Sequence, residues 1–357
     1  MSQRTINFGV IGCGLMGKEL ASAAARWLHL TGIDFRPQIM AACDKHGEGA
    51  AWFQENVETV RYTTADYRDL LADDEIDVIY CAVPHDLHER IYVDIVESGK
   101  HLFGEKPFGI DLQANAAINR AIAANPDVFV RCTSHLPYFP GAYQMARWAM
   151  DGRFGQILEV EAGFWHSSDL NPDKPINWKR MIEINGEYGC MGDLGMHVLH
   201  IPLRMGWRPK NVRALLSNIM RERPNAEGSR VPCETWDNAI LATEVETADQ
   251  DFPMLISTKR IAPGHNNTWF IKIIGARFSA VFSTQQPKQL RTLSYTPGGE
   301  QVWQVSETPF KSAYETITGS IFEFGFTDCI LQLLAAYCDE LLNGPQMAQP
   351  FGCVTPG

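Results

Sequence analysis

An apolar run from Ile6 to Ile11 leads straight into Gly12-Cys13-Gly14-Leu15-Met16-Gly17, and an alanine-rich stretch follows as far as Leu30. This order of strand, glycine turn and helix constrains the fold more than any other feature of the chain. A GxGxxG string alone is weak; between a strand and a helix it has a specific physical reading. The first glycine permits the tight turn, the second lets the backbone approach a pyrophosphate, and the third lets helix and strand pack closely. The free N–H groups at the helix start then face the phosphates. Gly12, Gly14, Leu15, Met16 and Gly17 are therefore candidate cofactor-binding residues, against the bland alternative of a plain strand–helix turn.

An acidic residue closing the second strand is expected to bind the adenine ribose hydroxyls. Asp44 stands there, 27 residues beyond Gly17, and the long connection HLTGIDFRP accounts for the gap. A carboxylate at that place repels a 2′-phosphate, so NAD is favoured over NADP, although Lys45 lies beside it. A strand-end turn is the competing role for Asp44.

The rest of the first third repeats the alternation. Strands are expected at 38–43, 77–83, 101–103 and 128–132, and helices at 15–30, 50–56, 66–72, 88–98 and 111–124, with Gly99 as a C-cap. Apolar strands separated by helices indicate a parallel sheet covered on both faces. Beyond about residue 150 strands dominate: 157–165, 212–219, 238–246, 254–259, 269–274 and 278–282. Helices are expected only at 193–205 and 326–342. At 357 residues the chain suits two domains. The expected architecture is α/β: a Rossmann doubly wound parallel sheet in 1–130, and in 131–357 a substrate-binding and oligomerisation α/β domain with an open, mostly antiparallel sheet.

Composition excludes several classes. Thirty-one basic against 42 acidic residues give a net charge of −11, spread without a basic run, which disfavours nucleic acid. No apolar run approaches the roughly 18 residues of a membrane span. The apolar patch at the start lacks a signal-peptide cleavage pattern. Nine cysteines, an odd number without a CxxC, argue against a disulfide framework and for a reducing cytoplasm.

The segment VIYCAVPHDLHERIYVDIVESGKHLFGEKPFGID is the most informative. Pro84 ends one strand, and Glu105-Lys106-Pro107 follow the next. Strand carboxyl ends are where doubly wound folds bind ligands, which places Lys106 at the nicotinamide end. An ammonium there can hold a substrate hydroxyl and stabilise a developing alkoxide; a surface lysine in a turn is the alternative. GxGxxG, AVPxxxH, GKH and EKP in this order resemble the Gfo/Idh/MocA oxidoreductases, which include glucose–fructose oxidoreductase and inositol dehydrogenases. The resemblance implies that Lys106 is catalytic, that Pro84, His88, Glu105 and Lys106 lie at the cofactor, and that the bond before Pro107 is cis.

A second signature matches that family: Gly189-Cys-Met-Gly192-Asp193-Leu-Gly-Met-His197-Val-Leu-His200. Asp193 and His197 are four apart and share a helical face. The family role of the histidine, here His197, is to take the hydroxyl proton, with Asp193 supporting it. A buried structural histidine is one alternative. A metal held by Asp193, His197 and His200 is another; the family uses none, so no metal is expected. Members often carry an acidic residue where His200 stands, which leaves that histidine either in an unusual pocket or against the sheet.

The loop WHSSDLNPDKPINWKRM supplies aromatic and basic groups suited to a sugar. Trp165, His166 and Arg180 are candidate substrate contacts. The family's Trp-basic pair makes Trp178 and Lys179 candidates for the cofactor. His135 and Tyr138 stand where members more often carry an arginine-containing stretch, and they are candidate substrate contacts, as are Asp193 and His197. Lys174, Lys179, Arg180, Lys259 and Arg260 could form an anion site for a carboxylated or sulfonated sugar. In the family a final helix follows a stretch like Phe351–Gly357.

The expected activity is therefore NAD-dependent oxidation of a secondary ring hydroxyl of a sugar, glycoside or cyclitol, by a homodimer or homotetramer with no nucleic-acid or membrane partner. A redox glycosidase is the first alternative: it oxidises, eliminates, hydrates and re-reduces without net NADH, and needs a second base from His135, His166 or Tyr138. A silent NAD-binding sensor is the other; the intact Lys106, Asp193 and His197 argue against it.

Overall fold

The computed structural model describes residues 4–307, 311–322 and 324–344. The chain divides into two compact units. The first holds Met1–His135, Ala313–Gly319 and Phe326–Gly357; the second holds Leu136–Ser312 and Ser320–Gly325.

The first unit is built on six parallel strands: β1 (Arg4–Ile11), β2 (Phe35–Cys43), β3 (Tyr62–Thr64), β4 (Val78–Cys81), β5 (His101–Gly104) and β6 (Val130–Cys132). Their order is β3-β2-β1-β4-β5-β6, so the direction of winding reverses between β1 and β4. Central strands are apolar throughout because both faces are covered: Phe8, Val10, Val78, Ile79 and Cys81 have no exposed surface. Helices α1 (Leu15–Ala25), α2 (Gly47–Asn56), α3 (Arg68–Leu71), α4 (His88–Glu97) and α5 (Leu112–Ala124) connect them. Asp111 caps α5 by accepting from Ala114 N at 2.8 Å, and Gly99 follows α4 with φ +82°.

The expected helix over 15–30 stops at Ala25 and tightens into a 3₁₀ turn at Trp27–His29. Trp27 is buried there and its Nε1 donates to Phe35 O at 2.8 Å, which turns the chain into β2.

The second unit opens with α6 (Pro140–Met150), whose first residue is the proline favoured at that position. β7 (Ile157–Trp165), α7 (Ile182–Asn185) and α8 (Met196–Arg204) follow, then β8 (Pro209–Ser217) and a small antiparallel ribbon, β9 (Glu222–Pro224) with β10 (Arg230–Pro232). β11 (Asn238–Glu246), β12 (Asp251–Lys259), β13 (Thr268–Gly275), β14 (Phe278–Ser283), β15 (Gln289–Ser294) and β16 (Gln304–Glu307) complete an eight-stranded sheet in the order β16-β15-β14-β13-β7-β12-β11-β8. Every pairing is antiparallel except β7 with β12. The strict alternation of β12, buried at Phe252, Met254, Ile256 and Thr258, shows one covered face. The helices α6 and α8 lie on that face. On the other stand Glu159, Glu161, Trp165, Ser257, Lys259, Phe270 and Lys272, and Lys272 Nζ lies 3.4 Å from Glu161 Oε2.

The placement of all of 131–357 in one domain needs correction. The last helix, α9 (Phe326–Asn343), belongs to the first unit. Its Tyr337 ring stacks on Phe103 with centroids 4.4 Å apart, Arg131 Nε meets Glu340 Oε2 at 2.6 Å, and Arg26 pairs with Asp328 at 2.6 Å. An almost continuous apolar helix needs a sheet face to bury it, and the parallel sheet provides one. Elements without a sequence expectation are α6, α7, β3, the ribbon, β15 and β16. The segment 351–357 lies outside the described residues.

Candidate active site

At the carboxyl edge of the parallel sheet the three glycines of the turn do separate jobs. Gly12 has φ +94°, and a Cβ there would lie 2.3 Å from Ala82 O, so only glycine fits beside the end of β4. A Cβ on Gly17 would lie 2.3 Å from Gly12 O, which is the close helix–turn packing expected. Gly14 is different: it is extended, with φ −75°, and no atom lies within 4 Å of its would-be Cβ. The chain itself does not require glycine there. A group approaching this main chain from outside does, and a pyrophosphate fits that description.

Asp44 sits at the end of β2 beside this turn. Its Oδ2 accepts from Cys13 N at 2.8 Å and its Oδ1 from His46 N at 2.7 Å. The strand-end role is therefore seen: the carboxylate shapes the turn and is fixed there by two main-chain N–H groups. Leu15 is exposed and Met16 half-buried at the start of α1.

Pro84 follows β4 and is exposed, and Lys106 follows β5 and is half-buried. The Lys106–Pro107 bond is cis. Three buried rings hold this turn. Tyr80 Oη donates to Glu105 Oε1 at 2.9 Å, and Tyr92 Oη donates to Glu105 O at 2.6 Å. His88 Nδ1 lies 2.6 Å from Pro107 O and its Nε2 lies 3.0 Å from Val83 O, bridging the loops after β4 and β5. His88 has no exposed surface and Glu105 turns its carboxylate inward to Tyr80, so both side chains shape this edge from within. Burial pushes the His88 imidazole down to about 4. His135, after β6, is 7% exposed, and burial together with the Lys106 charge pushes it down to about 3. Tyr80 and Tyr92 were not anticipated; for Tyr80, a tyrosine in an otherwise apolar strand was the available signal.

The second unit gathers a different set of groups. Residues 191–195 form a wide π turn that runs into α8, and Gly189 (φ +52°) leads into it, where a Cβ would lie 2.6 Å from Trp236 N. The uniform helix expected from 193 therefore starts regularly only at Met196, with Asp193 in the wide turn and His197 in the helix. Trp269 Nε1 donates to His197 O at 2.9 Å, and the Phe164 ring meets the His197 ring edge-on at 5.6 Å, so α8 is pinned to β13 and β7. Asp193 is 2% exposed and accepts from Lys179 Nζ at 3.1 Å and from Arg260. Asn177 fixes the preceding 3₁₀ turn by accepting from Lys179 N at 3.0 Å, and Lys179 Nζ lies 5.5 Å from the Trp178 ring centre. His166 packs on Phe164 at 4.6 Å; burial, then Arg260, push its imidazole down.

Three substrate expectations are corrected. Arg180 has no exposed surface and pairs with Asp237 at 2.5 Å, whose other oxygen accepts from Met220 N at 2.8 Å. Trp165 points to the opposite sheet face from Phe164, as successive strand residues must, and there donates to Ser257 Oγ at 2.6 Å. Tyr138 is 1% exposed. The five-residue anion site also disperses. Lys174 pairs with Asp169 at 3.1 Å, Lys179 and Arg260 with Asp193, and Arg180 with Asp237, while Lys259 stacks on Trp165 at 4.4 Å. His200 is 3% exposed, and among the described residues no group of His, Cys, Asp and Glu could hold a metal ion.

Comparison with known proteins accords with this geometry. Residues 6–131 match an oxidoreductase family with an NAD-binding Rossmann fold, Gfo/Idh/MocA. A levoglucosan dehydrogenase of Pseudarthrobacter phenanthrenivorans is 24% identical over 302 residues, spanning 81% of this chain and 76% of that protein. A solved levoglucosan dehydrogenase in complex with NADH and levoglucosan superposes with a TM-score of 0.85 at 22% identity, covering 99% of this chain and 92% of that one. An alpha-N-acetylgalactosaminidase of Shewanella oneidensis is 26% identical over 193 residues, 52% of this chain and 38% of that protein. Together with the glycine turn, the cis Lys106–Pro107 bond and the six-stranded parallel sheet, these matches show that residues 6–131 are similar to the NAD-binding Rossmann domain of the Gfo/Idh/MocA oxidoreductases.

Proposed function

We propose that the chain is an NAD-dependent oxidoreductase acting on a secondary ring hydroxyl of a sugar or cyclitol. The open space over Gly14, at the point where the sheet reverses its winding, carries this reading. Similarity to a levoglucosan dehydrogenase supports an anhydrosugar or related ring as the substrate class.

Gly12, Gly14, Gly17 and the N-terminus of α1 would hold the pyrophosphate, Asp44 the adenine ribose, and Pro84 and Lys106 the nicotinamide half. When bound, NAD supplies the acceptor for the two electrons leaving the carbinol carbon. Lys106 holds the substrate hydroxyl by hydrogen bonding and offsets negative charge growing on its oxygen. His197 accepts the hydroxyl proton, a general-base role that an imidazole can fill. Asp193, held by Arg260 and Lys179, supports a positive imidazolium. His166 and Lys179 border the substrate.

The open sheet face bearing Trp165 and Phe270 supports association of copies into a dimer or tetramer, which light scattering measures. Eight cysteines among the described residues are buried and none forms a disulfide, which accords with a reducing cytoplasm. Among the described residues no helix is long and apolar enough to cross a membrane.

The similarity to an alpha-N-acetylgalactosaminidase favours redox glycosidase chemistry as the second reading. Against it, His135 is too weakly basic for the second base. The two separate in one cuvette holding protein, NAD, nitrophenyl glycosides and free ring sugars including levoglucosan. NADH rising in step with oxidised sugar is expected; nitrophenol released only with NAD, and without net NADH, would overturn the proposal.

A further inference from the structure

Arg260 touches three buried aspartates, Asp193 through its side chain and Asp169 and Asp237 through its main chain. Its guanidinium pairs with Asp193. Its main-chain N–H donates to Asp237 O at 2.9 Å, and its carbonyl accepts from Asp169 N at 3.2 Å. Asp169 and Asp237 are themselves tied to Lys174 and Arg180. The backbone of Arg260 is therefore locked before its side chain is considered. The two cations on Asp193 are also unequal. Arg260 exposes 5% of its side chain and Lys179 exposes 36%. A planar guanidinium fixes the direction of a carboxylate, whereas an ammonium on a flexible stem acts as a point charge that can shift toward a ligand.

We propose that Arg260 is a positioning residue: it fixes the Asp193 carboxylate from the buried side and leaves Lys179 as the member of this cluster that faces a ligand. The kinetic part rests on the oxidoreductase reading; the fixing of Asp193 does not. The imidazole of His166 reports on the cluster, because Arg260, Lys179 and Asp193 all act on it, beside the Phe164 ring and the Asn266 main chain.

The experiment compares Arg260→Gln, Arg260→Lys, Asp193→Asn and the Asp193→Asn/Arg260→Gln double variant, each checked by thermal melting. With NAD and levoglucosan, Arg260→Gln is expected to lose about 100-fold in kcat/KM at unchanged KM for NAD, the scale of a misplaced supporting group. Arg260→Lys, which keeps the charge without the fork, is expected to lose about 10-fold. In the Asp193→Asn background Arg260→Gln is expected to cost little more, since both changes remove one interaction. Losses that multiply, or near-normal Arg260→Gln activity, overturn the proposal. Should Arg260→Gln fail to fold, unchanged activity of Arg260→Lys overturns it. Nitrogen-15 histidine NMR needs no substrate: loss of the Arg260 charge is expected to raise the His166 titration by about half a unit or more. An unmoved His166 overturns the clamp even if no turnover is found.

Discussion

At the glycine turn the site is made of main chain, whereas around Asp193 it is made of paired charges. Gly12, Gly14 and Gly17 matter for what they lack, and apart from Asp44, Glu105 and Lys106 the surrounding polar groups are tyrosine hydroxyls, carbonyls and buried imidazoles. In the second unit Asp169, Asp193 and Asp237 each hold a lysine or arginine. A main-chain cradle depends on the space its glycines leave. A charge cluster tolerates changes of shape but depends on every partner, because a buried ion left alone costs about 3–5 kcal/mol.

The sharpest test of the contrast is Lys106, a charge placed on the neutral edge. Lys106→Ala is expected to lower kcat/KM by about 100- to 1,000-fold with NAD affinity intact, as removal of a group stabilising a developing oxyanion does. Equal loss of NAD affinity would mean that Lys106 only anchors the cofactor.

The glycines come next. Gly12→Ala forces a Cβ into Ala82 O at positive φ and is expected to lower Tm or abolish folding. Gly14→Ala meets no protein atom and is expected to leave Tm unchanged while weakening NAD about 10-fold, a loss of roughly 1.4 kcal/mol. Equal Tm losses in both would break the assignment of Gly14 to a ligand.

pH offers a smaller effect. His88 and His135 are held neutral by burial, at about 4 and about 3, against about 6.5 in an unfolded chain. Their folded values are depressed, so the unfolded state takes up protons that the folded state refuses. Stability is complete above about 6.5 and falls as pH drops toward about 4. His166 adds to this in the second unit. Asp169 behaves otherwise: burial raises it, but Arg260, Lys174 and Arg223 outweigh burial and hold it below the carboxylate range. Its contribution persists until more acid conditions. Calorimetry at stepped pH is expected to show Tm falling over this window, less steeply in His88→Gln; a flat Tm would contradict the neutral edge.

The smallest effect is at Lys259, which stacks on Trp165 on the open sheet face. Lys259→Ala is expected to keep kcat/KM within about twofold, as a surface substitution does. A larger loss would return that face to the site.

These differences explain what was legible in the sequence. Spacing in a turn is local, so Gly12 to Gly17 and Lys106 could be read directly. Asp193 and His197 lie four apart and were found the same way. Arg260 lies 67 residues from Asp193, and Arg180 lies 57 from Asp237; only the sheet brings them together. Trp165 was misassigned because one residue along a strand exchanges the two faces. The polar edge strands β15 and β16 and the short β3 carry too little periodicity to stand out. The return of α9 to the first unit is a tertiary event that no local pattern announces.

The central claim, that the chain moves hydride from a ring carbon to NAD, is tested most directly by isotope transfer. Purified protein is incubated with NAD and levoglucosan deuterated at its ring carbons, and the recovered cofactor is weighed by mass spectrometry. The account predicts NADH carrying the label in step with oxidised sugar. Sugar consumed while NAD stays unlabelled and unreduced would contradict it.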